Sequence, residues 1–143
     1  ILESKIKNVL STNSNLSIVL VDIDNFKQVN DKFGHEVGDT TLVKFAQLLK
    51  EHLRPSDYIG RWGGEEFLII CENSDANTAY TLSNRLRELI MNNKFEIINS
   101  CTASFGIAQF KRNESKTKFV SNADKALYQA KDEGRNKVIL FRD

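Results

Sequence analysis

Continuous apolar runs alternate along the chain with longer segments in which apolar residues recur every three or four positions. The runs are typical of buried strands, and the longer spacing is typical of helices that bury one face. The runs predict strands at 16–24, 58–62, 65–71, 101–110 and 136–141. The helical spacing predicts helices at 1–10, 25–34, 39–53, 74–93 and 117–134. This alternation predicts an α/β (α+β) fold in which helices flank one central mixed sheet of about five strands.

Several element boundaries are marked by residues with distinctive backbone chemistry. Asp39 is the predicted N-cap of the third helix, because its carboxylate can accept from the free N–H groups of a first turn. Pro55 closes that helix, since proline has no N–H to donate. Gly134 is the predicted C-cap of the last helix. Gly63 and Gly64 join two strands in a tight turn, where glycine allows a positive φ and the close approach of a ligand.

Length, charge and cysteine usage narrow the class of protein. The 143 residues are the size of one domain, and a 41% hydrophobic content can build one core. The net charge is only +1 and like charges form no long run, which argues against a nucleic-acid polymer as partner. No apolar run could span a bilayer, so we expect no membrane contact by this domain. Two cysteines inside apolar stretches predict buried free thiols and a cytoplasmic location, which leaves open a membrane attachment elsewhere in a full-length protein.

Acidic residues stand where the predicted strands meet turns. Asp22 and Asp24 end the first strand, and Glu65 and Glu66 follow the paired glycines. A carboxylate on an apolar strand is unfavourable unless it is paired or bound to a metal. If the two strands are neighbours, Asp22 and Glu65 converge, and such oxygen ligands suit Mg²⁺ or Mn²⁺ bound together with substrate phosphates. The alternative is an exposed hairpin turn with solvated acids, and the spacing alone leaves both interpretations open.

Basic residues follow the first strand and surround the end of the last helix. Lys27 lies where the chain turns into a helix, whose N-terminal N–H groups favour anions. Lys131 and Arg135 lie on either side of the predicted cap at Gly134. Each alone is typical of a solvated surface cation. Together with a divalent metal they would form a cradle for a triphosphate.

Four separated motifs cover nearly the whole chain in the order found in a known family. They are VDIDNFKQVNDKFGHEVGD, RWGGEEF, SFGIA and ADKALYQAKDEGRN. With them the chain resembles the GGDEF domain, the catalytic domain of diguanylate cyclases, in the variant with Glu at the third signature position. The Asp-x-Leu-Thr segment and the Asn-Arg pair that usually precede the first helix of the family are missing here. We therefore expect residues 1–143 to be one GGDEF domain excised from a longer regulatory protein.

The resemblance implies a bacterial signalling enzyme, a nucleotidyltransferase that condenses two GTP molecules into cyclic di-GMP and two pyrophosphates. It implies dependence on Mg²⁺ or Mn²⁺, a two-fold homodimer as the working form, and inhibition by the product. A non-catalytic module that binds GTP or cyclic di-GMP and acts on a partner is the alternative. The chain retains the signature acids and the guanine-binding residues of the family, which favours the enzyme.

The family's metal and catalytic roles carry over to matching positions. The resemblance assigns metal ligation to the Asp22 side chain, the Ile23 carbonyl and the Glu65 side chain. It also makes Glu65 the candidate base for the ribose 3′-hydroxyl, with Glu66 in support of the site.

The substrate-binding roles carry over in the same way. The resemblance implies that the backbone N–H groups of Asn25 and Phe26 contact the β- and γ-phosphates, together with the side chains of Lys27, Lys131 and Arg135. Asn30 and Asp39 match the residues that bind the guanine edge, where one carboxylate can accept from two adjacent donors. Gly63 and Gly64 must stay small because the nucleotide lies against them.

A second site is predicted upstream of the signature. Arg54 and Asp57 match the family's inhibitory Arg-x-x-Asp pair, and Arg85 falls where a further arginine contributes. The resemblance implies that these residues bind cyclic di-GMP, with guanidinium groups suited to guanine and phosphate. The alternative is a simple ion pair at the end of a helix.

Overall fold

The computed structural model describes residues 1–143, and its elements follow the predicted order along the chain. The helices are α1 (Leu2–Thr12), α2 (Phe26–Phe33), α3 (His35–Glu51), α4 (Ala76–Asn92) and α5 (Lys116–Asp132). The strands are β1 (Leu16–Ile23), β2 (Tyr58–Arg61), β3 (Glu66–Glu72), β4 (Ala103–Gln109) and β5 (Val138–Leu140). No helix is both long enough and apolar enough to cross a membrane.

One five-stranded sheet has the order β2-β3-β1-β4-β5. Strand β1 is antiparallel to both β3 and β4, β2 is antiparallel to β3, and β5 runs parallel to β4. The prediction of one mixed sheet flanked by helices is therefore confirmed. Every residue of β1 is buried, which explains why this central strand has a continuous apolar sequence.

Alternate residues of β1 enter two separate cores, one on each face of the sheet. Val19, Val21 and Ile23 pack in a core to which α3 contributes Phe45 and α4 contributes Leu86. Leu16, Ile18 and Leu20 pack in the opposite core, to which α1 and α5 contribute Leu2, Val9, Phe119 and Leu127. The sheet is therefore covered on both faces, and only the ends of its strands can expose polar side chains to a ligand.

The third helix begins earlier than predicted. Gly34, with φ of 92°, separates α2 from α3, and α3 starts at His35. The prediction of Asp39 as an N-cap is wrong, because Asp39 lies within α3, where its side chain is exposed. The helix also ends at Glu51, two residues before the predicted end, so Arg54 lies outside it.

The end of α5 is fixed by a glycine, as predicted. Gly134 has φ of 113° and follows the cap residue Glu133. Gly134 N donates to Lys131 O at 3.4 Å, and Arg135 N donates to Ala130 O at 3.0 Å. These are the two hydrogen bonds of a Schellman motif, which closes the free carbonyls of the helix end. The motif sets the direction in which the chain leaves Lys131.

Both cysteines are free thiols. Cys71 is buried in β3, and Cys101 is half-buried just before β4. Burial raises the pKa of each thiol to about 12, so neither is a thiolate near neutral pH. Both cysteines are unpaired as predicted, but the prediction of a buried thiol is confirmed only for Cys71 and is wrong for Cys101, which is half-buried.

The close contact between β4 and α5 generates a stability prediction. A Cβ at Gly106 would lie 2.2 Å from Leu127 N and 2.4 Å from Ala123 O, both backbone atoms that cannot move independently. Gly106→Ala should therefore lower the free energy of unfolding by about 2 kcal/mol or more, measured by urea denaturation. Gly64→Ala is the matched control, because a Cβ there meets no atom within 4 Å. Equal stability of the two variants would refute this account of the contact.

Candidate active site

The end of β1 and the start of β3 bring the signature acids to Asp22. Asp22 is the register partner of Glu66. The Ile23 N–H donates to the carbonyl of Glu65 at 3.5 Å. The strands that carry Asp22 and Glu66 are therefore neighbours, which was the condition for the convergence of Asp22 and Glu65. Glu65 and Glu66 are both partly buried, whereas the glycines before them are exposed, so the acids are not the solvated side chains of a free hairpin turn.

Asp22 is a buried carboxylate with one cationic partner. Only 3% of the residue is exposed, and its Oδ2 forms an ion pair with Lys131 Nζ. The pKa of Asp22 is raised to about 6, chiefly by burial and to a lesser extent by the negative charges of Glu65 and Glu66, against the opposing hydrogen bond and charge of Lys131. The site therefore has more negative charge than one lysine neutralises, which favours a bound cation.

Lys131 extends from the last turn of α5 toward the acids. Burial opposes its charge, but the hydrogen bond and charge of Asp22, together with Glu66 and Glu65, outweigh burial and raise the pKa of Lys131. Burial also raises the pKa of Glu66, with Lys131 acting against it and Asp124 and Glu65 adding to it. Lys131, which the resemblance assigned to phosphate, thus contacts a predicted metal ligand directly.

The signature turn is held by an arginine that the sequence did not single out. Arg61 Nε donates to the carbonyls of Gly64 at 3.0 Å and Gly63 at 3.3 Å, and its Nη2 also donates to Gly64. Trp62 N and Gly63 N both donate to Glu66 O, at 2.8 and 3.2 Å. Neither glycine has a positive φ, so the predicted conformational reason for them is wrong. The close approach of a nucleotide to these glycines stays a prediction. A Cβ at Gly64 would meet only open space, so there is room for a ligand at that position.

The turn from β1 into α2 offers backbone donors beside the acids. Asn25 has a left-handed backbone, with φ of 57°, and α2 begins at Phe26 without a side-chain cap. The first N–H groups of the helix, those of Phe26 and Lys27, have no acceptor within it. Lys27 and Arg135 are exposed, so their side chains are accessible to an anion.

Asn30 and Asp39 lie close together across α2 and α3. Asn30 Oδ1 is buried without a hydrogen-bond partner, and a Cβ at Gly38 would lie 1.9 Å from that oxygen. Asp39 follows Gly38 and lines a cavity of about 360 Å³ with Arg61 and Phe67. Asn30 does not line that cavity, and its unpartnered oxygen is buried against Gly38, so the two predicted guanine-binding residues lie next to one glycine but do not share a cavity.

The acids around Asp22 fit a divalent cation that is shared with a phosphate. No three His, Cys, Asp or Glu side chains of the chain are placed to hold a metal by themselves. Mg²⁺ is usually bound through one or two carboxylates together with substrate phosphates, rather than by an all-protein cage. Asp22 and Glu65, together with the carbonyl of Ile23, whose N–H contacts the Glu65 carbonyl, offer oxygen donors of that kind.

The three residues of the predicted product site are also brought together. Arg54 forms an ion pair with Asp57 at 2.8 Å, and its Nη2 donates to Glu72 O at 3.1 Å and Ser74 Oγ at 2.6 Å. The hydrogen bond to Asp57 raises the pKa of Arg54. Arg85 Nη2 donates to His52 O at 3.2 Å, two residues from Arg54. The ion pair named as the alternative is thus present, and it leaves a product-binding role open.

Asp24 is a further acid that received no role from the sequence. It is buried and accepts three hydrogen bonds, from Thr102 Oγ1, Ser104 Oγ and Asn136 N. The alternation of hydroxyl residues in the segment 102–104 is the one sequence signal for this arrangement. The partner in the loop after α5 could not be identified from local sequence.

Comparisons with known proteins agree on one family. The family model described as "Diguanylate cyclase, GGDEF domain" matches residues 1–137. Diguanylate cyclase DosC of Escherichia coli (strain K12) is 34% identical over 146 residues, which cover 99% of this chain and 32% of DosC. Diguanylate cyclase A of Treponema denticola is 38% identical over 133 residues, which cover 90% of this chain and 36% of that protein.

Solved structures give the same result at the level of the fold. The active GGEEF domain of a diguanylate cyclase from Vibrio cholerae has a TM-score of 0.92 and 32% identity, over 98% of this chain and 91% of that chain. The GGDEF domain of DgcB from Caulobacter crescentus, in complex with c-di-GMP, has a TM-score of 0.95 and 28% identity, over 99% and 86% of the two chains. The chain belongs to the GGDEF family of diguanylate cyclase domains. It spans about a third of the length of the curated relatives named above.

The burial of Asp22 predicts a pH-dependent stability. Its pKa is about 6 in the fold, against 3.8 for an unperturbed aspartate in an unfolded chain, so between these values the folded state binds the proton more tightly than the unfolded state does. The free energy of unfolding should therefore fall as pH rises from about 4 to about 6, by on the order of 2–3 kcal/mol from this group.

Urea unfolding without nucleotide or divalent cation, at pH 4 to 7, measures this contribution. The profile of Asp22→Asn should be flatter than that of the wild type, because the amide does not titrate. Glu66 contributes in both proteins, so the difference isolates Asp22. Parallel profiles would show that Asp22 is not held in the environment described.

Proposed function

We propose that this domain is a diguanylate cyclase, which condenses two GTP molecules into cyclic di-GMP and two pyrophosphates with Mg²⁺ or Mn²⁺. The observation that carries the proposal is the buried Asp22 beside Glu65 and Glu66, with Lys131 from α5 as the only cation paired with it. Such an acid-rich site is unfavourable by itself and favourable toward a metal-bound polyphosphate.

The proposed reaction is a nucleotidyl transfer. The 3′-oxygen of one GTP forms a bond to the α-phosphorus of the other, the bond to the β-phosphate oxygen breaks, and pyrophosphate leaves. Glu65 accepts the proton of the 3′-hydroxyl, and the carboxylate of Glu66 adds negative charge to the site. A divalent cation held by Asp22, the Ile23 carbonyl and Glu65 would stabilise developing negative charge when it is bound. Repetition of the step closes the ring of cyclic di-GMP.

The polyphosphate is bound by donors from two places in the fold. The N–H groups of Asn25 and Phe26 point from the start of α2, and Lys27 adds a cation there. Lys131 and Arg135 approach from the end of α5. Binding of the polyphosphate at the start of α2 is supported by the left-handed backbone of Asn25 and by the absence of a side-chain cap, which leave backbone donors free.

The guanine base is bound between α2 and α3. The carboxylate of Asp39 can accept from N1–H and the 2-amino group together, and Asn30 supplies the buried oxygen that lacks a partner. Adenine presents no such pair of donors, so these two residues favour GTP over ATP. The proposed nucleotide therefore extends from α3 to the signature turn.

The working form of the enzyme is proposed to be a two-fold homodimer. Each domain holds one GTP, and the product has two-fold symmetry, so two domains must face each other during the reaction. The location proposed is the bacterial cytoplasm, where GTP and Mg²⁺ are available.

Fusion of the domain to a parallel coiled coil tests the proposed reaction directly. With GTP and Mg²⁺ the fusion should form cyclic di-GMP, identified by mass, and its specific activity should exceed that of the isolated domain. Glu65→Gln should lower the rate at least about a hundredfold, because the amide can neither ligate a metal with charge nor accept the proton.

Glu51→Gln is the control for that variant, because Glu51 is an exposed acid at the end of α3. It should leave the rate unchanged. Binding of GTP without any product in the fusion would favour the non-catalytic regulatory module instead. A fully active Glu65→Gln would remove Glu65 from the mechanism.

Product inhibition is proposed to act through Arg54, Asp57 and Arg85. Arg85→Ala is the better test variant, because loss of Arg54 would leave the fully buried Asp57 side chain without its cation. Arg85→Ala should keep the initial rate but weaken inhibition by cyclic di-GMP about tenfold, as seen in progress curves and calorimetric titration. Arg142→Ala, an exposed arginine after β5, should behave as the wild type. Unchanged inhibition in Arg85→Ala would leave this cluster as an ion pair only.

A further inference from the structure

Asp24 is a buried acid for which the proposed reaction has no use. Its residue is only 7% exposed. Oδ1 accepts from Ser104 Oγ at 2.6 Å, and Oδ2 accepts from Thr102 Oγ1 at 2.7 Å and from Asn136 N at 2.9 Å. All three donors are neutral, so the carboxylate is held by hydrogen bonds rather than by a counter-charge. Both oxygens are engaged, which distinguishes Asp24 from Asp22.

The hydrogen bonds of Asp24 join two parts of the chain that are distant in sequence. Asp24 stands between Ile23 and Asn25, at the turn from β1 into α2, and its own N–H donates to Thr102 O at 2.9 Å. Thr102 immediately precedes β4 and Ser104 lies in its first residues, whereas Asn136 lies in the loop after α5. One carboxylate therefore ties the turn that offers backbone donors to the loop that carries Arg135.

That loop has a backbone that needs external support. Arg135 and Asn136 are consecutive left-handed residues, with φ of 64° and 48°, a conformation that asparagine tolerates but that is unfavourable for arginine. The Schellman bond to Ala130 holds Arg135 from one side. On the other side Asn136 is held through its N–H by Asp24 and through its Oδ1 by Arg87 Nη1 at 3.2 Å.

We propose that Asp24 is a positioning residue that sets Arg135 against the β1–α2 turn, so that both contact the same polyphosphate. The inference rests on the proposed function, because the contact between Arg135 and phosphate is part of that function. Asp24 itself touches neither metal nor substrate. Its effect should appear in the affinity for the β- and γ-phosphates and not in the affinity for the base.

Binding measurements can separate this role from a purely structural one. The probes are a non-hydrolysable GTP analogue and GMP, each titrated with Mg²⁺ into the domain by calorimetry. Asp24→Ala should weaken binding of the GTP analogue about tenfold and leave GMP binding unchanged. The loss should largely disappear when Arg135→Ala is already present, because the two residues act through one contact.

The conservative variant tests whether charge is needed. In Asp24→Asn the amide oxygen can still accept from Thr102 and Asn136, and the Ser104 hydroxyl can turn to accept from the amide nitrogen. Asp24→Asn should therefore bind the GTP analogue nearly as the wild type does. If instead it loses as much affinity as Asp22→Asn, Asp24 is a metal ligand and the proposal is wrong.

Two further variants keep the outcome decisive. The double variant Thr102→Val with Ser104→Ala removes both hydroxyl donors but retains the bond to Asn136. It should therefore lower the free energy of unfolding without lowering the affinity for the GTP analogue. Asp24→Ser, whose short hydroxyl cannot reach all three donors, replaces Asp24→Ala if that variant does not fold. Equal losses for GMP and the GTP analogue, or additive effects with Arg135→Ala, would overturn the positioning role. Failure of the wild type to bind the GTP analogue at all would overturn the proposed function as well.

Discussion

A carboxylate in the middle of an apolar sheet stays charged only if cations are brought to it. Asp22 is such a group, on a strand whose every residue is buried. Asp22 has a fixed position, because β1 is hydrogen-bonded in register to β3 on one side and to β4 on the other. Its charge must therefore be stabilised by groups from the surrounding elements. Helix α5 ends where Lys131 reaches Asp22, and the signature turn places two further acids at the same point.

Two arrangements of acids at the end of β1 have opposite chemistry. Asp22 has one cationic partner and faces other acids, so it favours an additional cation. Asp24 is saturated by neutral donors and cannot accept a further ligand without losing one of them. Asp22 lies on β1 and Asp24 in the turn that follows it, and the difference between these acids arises from the groups that surround each of them. Asp22 is therefore suited to binding a cation, whereas Asp24 is suited to holding the backbone around the site.

The sequence predicted the sheet, the helices and the position of the acids because these depend on local patterns. A continuous apolar run implied a central strand, and helical spacing implied the covering helices. One failure is local. Gly34, with φ of 92°, separates α2 from α3, so α3 starts at His35 and Asp39 falls inside the helix instead of capping it.

Other features of the site could not be predicted because they involve contacts that the pattern of side chains does not encode. Arg61 clamps the signature turn through backbone carbonyls, and such a contact leaves no pattern in side-chain chemistry. The bond from Asn136 to Asp24 crosses most of the chain. The resemblance to a family supplied the roles of individual residues, whereas the physical pattern supplied only acids, glycines and cations placed near one another.

The most direct test of the account is the Mg²⁺ dependence of binding of a non-hydrolysable GTP analogue to the domain. Because no three acids can hold the metal alone, Mg²⁺ without nucleotide should bind weakly, and Mg²⁺ should strongly increase the affinity for the analogue. Asp22→Asn should remove that increase and leave the metal-free affinity intact. Tight binding of Mg²⁺ without nucleotide, or an unchanged Mg²⁺ dependence in Asp22→Asn, would contradict the central role given to this buried carboxylate.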